Sequence, residues 1–266
     1  MVSTKSETTG QKHINSMRKV KRTSYVDGDM IMYRAAFASE QETKWEDDIW
    51  TLHSCETDMK VIIDDMMEFI EDATQCDAMF LVFSDTRNFR YKLFPDYKAN
   101  RKDKRKPLGL RAMTEWAFKN YNGIRWNNLE ADDVIGIMCS NSKNNIAVSA
   151  DKDFATLPEC EWFNFMSRET SFMTQEEADY NHLSQTLSGD TVDGFSGAKG
   201  IGSVTANKLL DKNGATWETV VNAYKSKGQT EEDALMNARL SYILRSKNEY
   251  NKKEGEIRLW QPQKQK

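Results

Sequence analysis

The sequence predicts an α/β fold with a mostly parallel central sheet flanked by helices. Two observations predict it. Short apolar runs of strand length alternate with stretches of helical periodicity. The runs are also continuously apolar, as in strands buried on both faces.

Along the chain, residues 1 to 22 lack apolar periodicity and read as a flexible basic tail. Thr23 to Asp27 reads as a strand and Met30 to Ala38 as a helix. Met59, Ile62, Ile63, Met66, Met67 and Ile70 follow the i, i+3, i+4, i+7 spacing of an amphipathic helix. Ala78 to Phe83 is an apolar run, hence a strand. Residues 86 to 106 are polar and basic, open between a helix pair, a lid and a loop. Pro107 is placed to open a helix through Tyr121. Ile124 to Trp126 and Ile146 to Ala150 read as strands, with a helix over Ala131 to Ser140 between them. Glu161 to Phe165 continues the alternation. Beyond residue 186 glycines crowd together (Gly189, Gly194, Gly197, Gly200, Gly202) and the remainder reads as mainly helical, with a late strand at Ile257 to Trp260. The expected units are a core over 23–186 and a subdomain over 187–266.

The 266 residues carry 37 Lys and Arg against 41 Asp and Glu, a net charge of −4. That balance hides an asymmetry. Residues 87–111 hold ten basic residues and two acids, so this segment is +8 and the rest of the chain −12. Such a protein is no general polyanion binder; it needs positive charge in one place and negative charge in another. No apolar run approaches the ~18 residues of a membrane span, so no membrane partner is expected. The four cysteines lie far apart without CxxC spacing, which excludes a zinc motif and fits a reducing cytoplasm. Three histidines exclude a multi-histidine metal site.

Ligand sites of open α/β sheets lie beyond the carboxyl ends of the strands, and here those ends are acidic. Asp27 ends the first strand. Asp85 follows Ala78 to Phe83 by one serine, and Asp151 and Asp153 follow Ile146 to Ala150. Glu130, Asp132 and Asp133 open the helix before that last strand. Each alone fits a helix cap or a turn. Four clusters at one sheet edge, beside a +8 segment, fit an edge that holds hard divalent cations, because crowded carboxylates need a counter-charge.

The motifs then run in an order that resembles one family. They are Asp27-Gly28-Asp29, Phe83-Ser84-Asp85, Tyr97-Lys98-Ala99-Asn100-Arg101-Lys102, Leu129-Glu130-Ala131-Asp132-Asp133, Ser149-Ala150-Asp151-Lys152-Asp153, Ser188-Gly189-Asp190-Thr191-Val192-Asp193-Gly194 and Gly197-Ala198-Lys199-Gly200-Ile201-Gly202. This series is similar to the 5′ nucleases of the flap endonuclease superfamily, and within it to the T-seven-type bacteriophage 5′→3′ exonucleases.

The resemblance implies a PIN-like 5′ nuclease core with a helical arch over residues 86–111 and a helix-hairpin-helix subdomain. It implies a first metal cluster of Asp27, Asp85, Glu130, Asp132, Asp133, Asp151 and Asp153, and a second of Asp190 and Asp193. Two Mg²⁺ or Mn²⁺ ions are the implied cofactors, with K⁺ at the Gly197–Gly202 hairpin. Lys98 and Arg101 would act on the scissile phosphate, sharing one helix face. Tyr97 would stack on a terminal base or pack the arch against the body. Lys102, Lys104, Arg105 and Lys106 would contact the backbone, as would Gly197, Lys199, Gly200, Gly202 and Lys208. The implied activity is metal-dependent 5′→3′ exonucleolysis of duplex DNA with 5′ ends, nicks or flaps, in phage replication. Flap-endonuclease and RNase H activity on RNA–DNA hybrids belong to the same implication, as do a separate replication polymerase or single-strand-binding protein as partners. A PIN-like RNA nuclease and a catalytically silent junction binder are the rival readings.

Overall fold

The computed structural model describes residues 21–263, so all but the last two residues of the expected tail lie outside the described residues. The main sheet has five strands: β1 (Thr23–Asp27), β4 (Ala78–Val82), β5 (Asn145–Val148), β6 (Cys160–Asn164) and β7 (Glu169–Met173). Their order is β4-β1-β5-β6-β7, and only β7 runs antiparallel. Asp27 pairs with Val82 and Val26 with Val148, so three strand ends stop at one level. The acids that follow them therefore leave the same edge.

Both sheet faces are covered, as continuously apolar strands require. On one face Val26, Leu81, Ile146 and Val148 pack against α1 (Gly28–Ala38), α2 (Glu56–Thr74) and α4 (Leu110–Asn120). The α2 contribution is the stripe Met59, Ile63, Met67 and Ile70, all buried. Burying such side chains yields ~1.5–3 kcal/mol each, enough to hold a helix whose other face is acidic. On the opposite face Tyr25, Val82 and Ala147 pack against α5 (Ala131–Cys139). Gly28 is needed where α1 leaves the sheet: a Cβ there would sit 2.7 Å from the Phe83 ring and 2.9 Å from the Val82 carbonyl oxygen.

A third core joins α6 (Gln175–Ser188), α7 (Ser203–Asn213), α8 (Trp217–Ser226) and α9 (Glu231–Ser241). Leu183 and Leu187 of α6 pack there on Ala198, Ile201, Ala206 and Leu210. The α6–loop–α7 pair is the helix-hairpin-helix expected from the glycine-rich stretch.

Several expectations need correction. The boundary at 186/187 falls inside α6. The chain after α9 also returns to the α5 face of the sheet core through Tyr242, Ile243, Leu244 and Tyr250, so 187–266 is not one unit. Residues Ile124 to Trp126 form no strand, only a bridge from Ile124 to Val82. The helix expected from Pro107 begins at Leu110, because Gly109 precedes it in a left-handed conformation. The late strand is the two-residue β9 (Glu256–Ile257), paired with β8 (Tyr250–Asn251) rather than with the main sheet. An antiparallel hairpin of β2 (Glu40–Lys44) and β3 (Trp50–Ser54) was not expected, nor was β7. The hairpin carries exposed Trp45, Ile49 and Trp50 and has no apolar run to announce it.

The arch departs most. Its described structure is α3 (Arg90–Leu93), a 3₁₀ turn over Ala99–Arg101 and turns. Lys98 precedes that turn with φ 55°, so Lys98 and Arg101 do not share a helix face.

Two glycines fix how the hairpin meets α6. Gly189 has φ +70° and Gly197 φ +63°, and a Cβ on either would lie 2.4 Å from the other's backbone nitrogen. Gly189→Ala should therefore lower stability by at least the ~1–3 kcal/mol of backbone strain. The urea unfolding midpoint measures it, and a midpoint equal to wild type would refute the close approach.

Candidate metal centre

The carboxylates at the sheet edge fall into two groups according to where the cations go. Asp27 ends β1 and caps α1, accepting from Met30 N at 3.1 Å and from the Ser149 hydroxyl at 2.9 Å. Ser149 also accepts from Asp151 N at 3.1 Å, which couples the ends of β1 and β5. Burial, then Asp29 and Asp151, push the Asp27 carboxyl up to about 7. Asp132, in the first turn of α5, is pushed well up by burial and by Asp27, Asp151 and Glu130. Burial and Asp151, with Asp190 beyond, raise Asp153 to about 6, against a bond from Gln185. Among the described residues none of Asp27, Asp132, Asp151 and Asp153 has an ion-pair partner; Arg90, Lys98 and Arg101 are paired with other acids.

Glu130, Asp133 and Asp193 take those cations. Arg90 is buried and donates to both Asp133 oxygens at 2.7 and 2.9 Å, and to Glu130 at 3.2 Å. It donates as well to the carbonyls of Leu240 and Tyr242. Lys98 Nζ lies 2.6 Å from Glu130 and 3.5 Å from Asp193, and Arg101 lies 2.5 Å from Asp193. Burial would raise Glu130, but Lys98 and Arg90 hold it at about 2.

Asp133 is therefore corrected from metal ligand to structural ion-pair partner: it is fully buried and both its oxygens face one guanidinium. For Tyr97 the base-stacking role is corrected and packing against the body remains. It is 2% exposed, its hydroxyl lies 2.9 Å from both Glu130 and Asp193, and it has no face free for a base.

The remaining expected residues divide by exposure and partner. Asp85 accepts from Thr86 N and Asn128 N, which outweigh burial and keep its carboxyl low. Asp190 closes an Asx turn on Val192 N and Asp193 N. Lys102, Lys104 and Lys106 are exposed. Arg105 is not free for phosphate: it forms a two-pronged pair with Glu40 at 2.6 and 2.8 Å. Lys199, Lys208, Gly200 and Gly202 are exposed, and nothing lies within 4 Å of a Cβ placed on either glycine. Gly197 is buried against Gly189, so its role is packing.

The sequence reading did not single out Asp29, which accepts from Ser84 N at 2.9 Å, nor Ser149, Arg90 and Gln185. Asp29 was legible beside Asp27. The others were not, because their partners are distant in sequence.

Among the described residues no three acids converge closely enough to enclose a metal ion unaided. The donor set still fits one. Four all-oxygen side chains crowd together without an ion-pair partner, and burial pushes three of them, Asp27, Asp132 and Asp153, toward their neutral forms. Mg²⁺ binds through one or two carboxylates, keeps its waters and takes substrate phosphate oxygens, so it needs no closed cage.

Comparison with known proteins adds family evidence. The family described as 5′-3′ exonuclease, N-terminal resolvase-like domain, matches residues 22–182. An exonuclease of Escherichia phage T7 is 32% identical over 281 residues, covering 89% of this chain and 92% of that protein. Flap endonuclease Xni of Shewanella sp. (strain W3-18-1) is 32% identical over 179 residues, covering 60% of this chain and 68% of that one. A phage T5 5′-exonuclease solved with divalent zinc ions bound is similar in fold, with TM-score 0.56 at 16% identity over 83% of this chain and 89% of that chain.

Removing one partner of a buried pair strands the other charge. Arg90→Met should cost about 3–5 kcal/mol. Arg105→Ala, whose own side chain is half exposed, should cost far less, because solvent screens its pair with Glu40. Denaturant unfolding of both variants tests the contrast, and equal losses would contradict it.

Proposed function

Because this chain belongs to the 5′-3′ exonuclease family, we propose that the uncompensated carboxylates Asp27, Asp132, Asp151 and Asp153 hold divalent metal for hydrolysis of DNA from 5′ ends. One observation carries the assignment: these acids share a sheet edge with Lys98 and Arg101, yet the two cations neutralise other acids. The chain is a 5′→3′ nuclease, and similarity to both an exonuclease and a flap endonuclease supports duplex ends, nicks and flaps as substrates, with RNA–DNA hybrid as a further one. Mg²⁺ or Mn²⁺ suits the all-oxygen donors. Two such ions, when bound, would polarise the attacking water and take up charge on the leaving oxygen. Asp85 and Asp190, at the ends of the acidic row, are proposed as outer ligands, the second through the loop that also carries Asp193.

The protein's own groups do the positioning. Lys98 sits between Glu130 and Asp193, and burial, which would lower its pKa, is overridden by these acids, so its ammonium stays charged. An entering phosphate competes with Glu130 and Asp193 for that ammonium and for Arg101. Lys102, Lys104 and Lys106 extend the positive surface along the backbone. On the other side, the open Gly200–Gly202 turn lets phosphates approach exposed N–H groups, with Lys199 and Lys208 beside it. Carbonyls of the same turn are the proposed K⁺ site. The functional units are then the sheet core with the returning segment after α9, and the α6–α9 helices as the duplex-binding unit. No described helix is long and apolar enough to cross a membrane.

Cleavage of 5′-labelled duplex, 5′-flap and single-stranded RNA with Mg²⁺ and with chelator tests the reading. Duplex or flap cleavage abolished by chelator is expected; cleavage of the RNA alone would favour an RNA nuclease, and none at all a silent binder. Asp151→Asn should remove cleavage while DNA binding and fold persist. Near-normal turnover of that variant in saturating Mg²⁺ would remove Asp151 from the centre.

Lys98→Ala should slow single-turnover cleavage of a 5′-flap by ~10²-fold, with a smaller change in duplex affinity. A wild-type single-turnover rate would return Lys98 to a purely structural pair with Glu130.

A further inference from the structure

Arg125 is exposed, and among the described residues it has no ion-pair partner. Its place is nonetheless fixed. Ile124, one residue earlier, exchanges two backbone bonds with the end of β4: its nitrogen donates to the Leu81 carbonyl at 2.8 Å, and its carbonyl accepts from Phe83 N at 2.8 Å. The side chain is held as well. The guanidinium carbon lies 5.1 Å from the centre of the Phe118 ring and 5.9 Å from that of Phe83. Both rings pack in the core between the sheet and α1, α2 and α4. Aromatic faces hold a guanidinium in place without using its N–H donors. The fork is therefore oriented in advance and left for another acceptor.

Position says what that acceptor is. The Phe83 ring closes against Gly28, the residue after Asp27. Ser84, after Phe83, donates from N to Asp29 at 2.9 Å, and Asp29 is within reach of the Arg125 charge. Arg125 thus stands beside the row of acids, on the sheet face that α1 and α4 cover. Lys98 reaches the same row from the α5 side, through Glu130, the residue that caps α5. An anionic strand lying across the edge meets a cation on each side. A planar fork fits two oxygens of one phosphate, which an ammonium cannot match.

We propose that Arg125 is a substrate-binding residue, taking two oxygens of one backbone phosphate of the DNA strand across the acidic edge from Lys98. This rests on the reading of that edge as the place of DNA cleavage. The two cations differ in what they contribute. Lys98 must be drawn from Glu130 and Asp193, whereas Arg125 has no acid to leave, so its contact forms as soon as the strand binds and serves affinity more than the chemical step.

The test is binding of a fluorescent 5′-flap DNA to the full chain in chelator, by anisotropy over a salt series, with single-turnover cleavage in Mg²⁺ beside it. For Arg125→Gln, affinity should fall ~10-fold or more, the range for hydrogen bonds to charged groups. The slope of log K against log salt should become shallower by about 0.9, one phosphate. The enzyme concentration for half-maximal cleavage rate should rise in parallel, with the saturated rate changed by less than about twofold. Arg125→Lys keeps the charge and loses the fork, so it should keep the wild-type salt slope and recover only part of the affinity. Affinity of Arg125→Gln within about twofold of wild type would overturn the proposal. Full wild-type affinity in Arg125→Lys would also overturn it, by reducing Arg125 to a generic positive charge. A lowered melting temperature with unchanged DNA affinity would leave Arg125 a packing residue. Should the wild type bind the DNA and cleave none of it in Mg²⁺, the nuclease reading fails, and the phosphate contact is decided by the binding series alone.

Discussion

The guanidinium of Arg90 spends all five of its N–H donors on two distant parts of the chain: two on Asp133, one on Glu130, and one each on the carbonyls of Leu240 and Tyr242. A charge this deeply buried is tolerable only when every donor is met. Satisfying it therefore fixes α5, the start of the basic segment and the exit of α9 relative to one another. Gly136 shows how close that junction is: a Cβ there would lie 2.3 Å from the Leu244 carbonyl oxygen.

The site's electrostatics follow from that anchoring. With α3 held by Arg90, the chain carries Tyr97, Lys98 and Arg101 directly over Glu130 and Asp193. Lys98 N also donates to the Asp193 carbonyl. The basic segment is thus docked on the 190–195 loop, and its Arg90, Lys98 and Arg101 are spent on one half of the acids. The other half keeps its repulsion. That division, rather than the number of carboxylates, leaves Asp27, Asp132, Asp151 and Asp153 without an ion-pair partner among the described residues.

Geometry links this edge to the helical unit in two ways. The Gly189–Gly197 contact sets the loop bearing Asp190 and Asp193 against the hairpin, and Gln185 ties α6 to Asp153. A duplex held at the Gly200–Gly202 turn would in this arrangement be held at a defined distance from the acids.

The α/β class, the parallel strands and the acids that end them were legible in the sequence, because burial on both faces writes an apolar run and a strand end follows it within a residue or two. The stripe on α2 was legible for the same local reason. The β2–β3 hairpin and β7 were not, since exposed strands carry no such run. The basic segment 86–111 was expected as an arch from the resemblance, but its charge says nothing of backbone conformation, and turns prevail between 94 and 109. Nor could the sequence decide which acids stay uncompensated. Asp132 and Asp133 are neighbours in the chain, yet helical geometry points one at Asp27 and Asp151 and the other at Arg90. Charge pairing across 32 to 92 residues chose Glu130 and Asp193 as partners of Lys98 and Arg101. Sequence fixes which charges exist and tertiary contact fixes which of them cancel, because Coulomb attraction depends on separation in space and not along the chain.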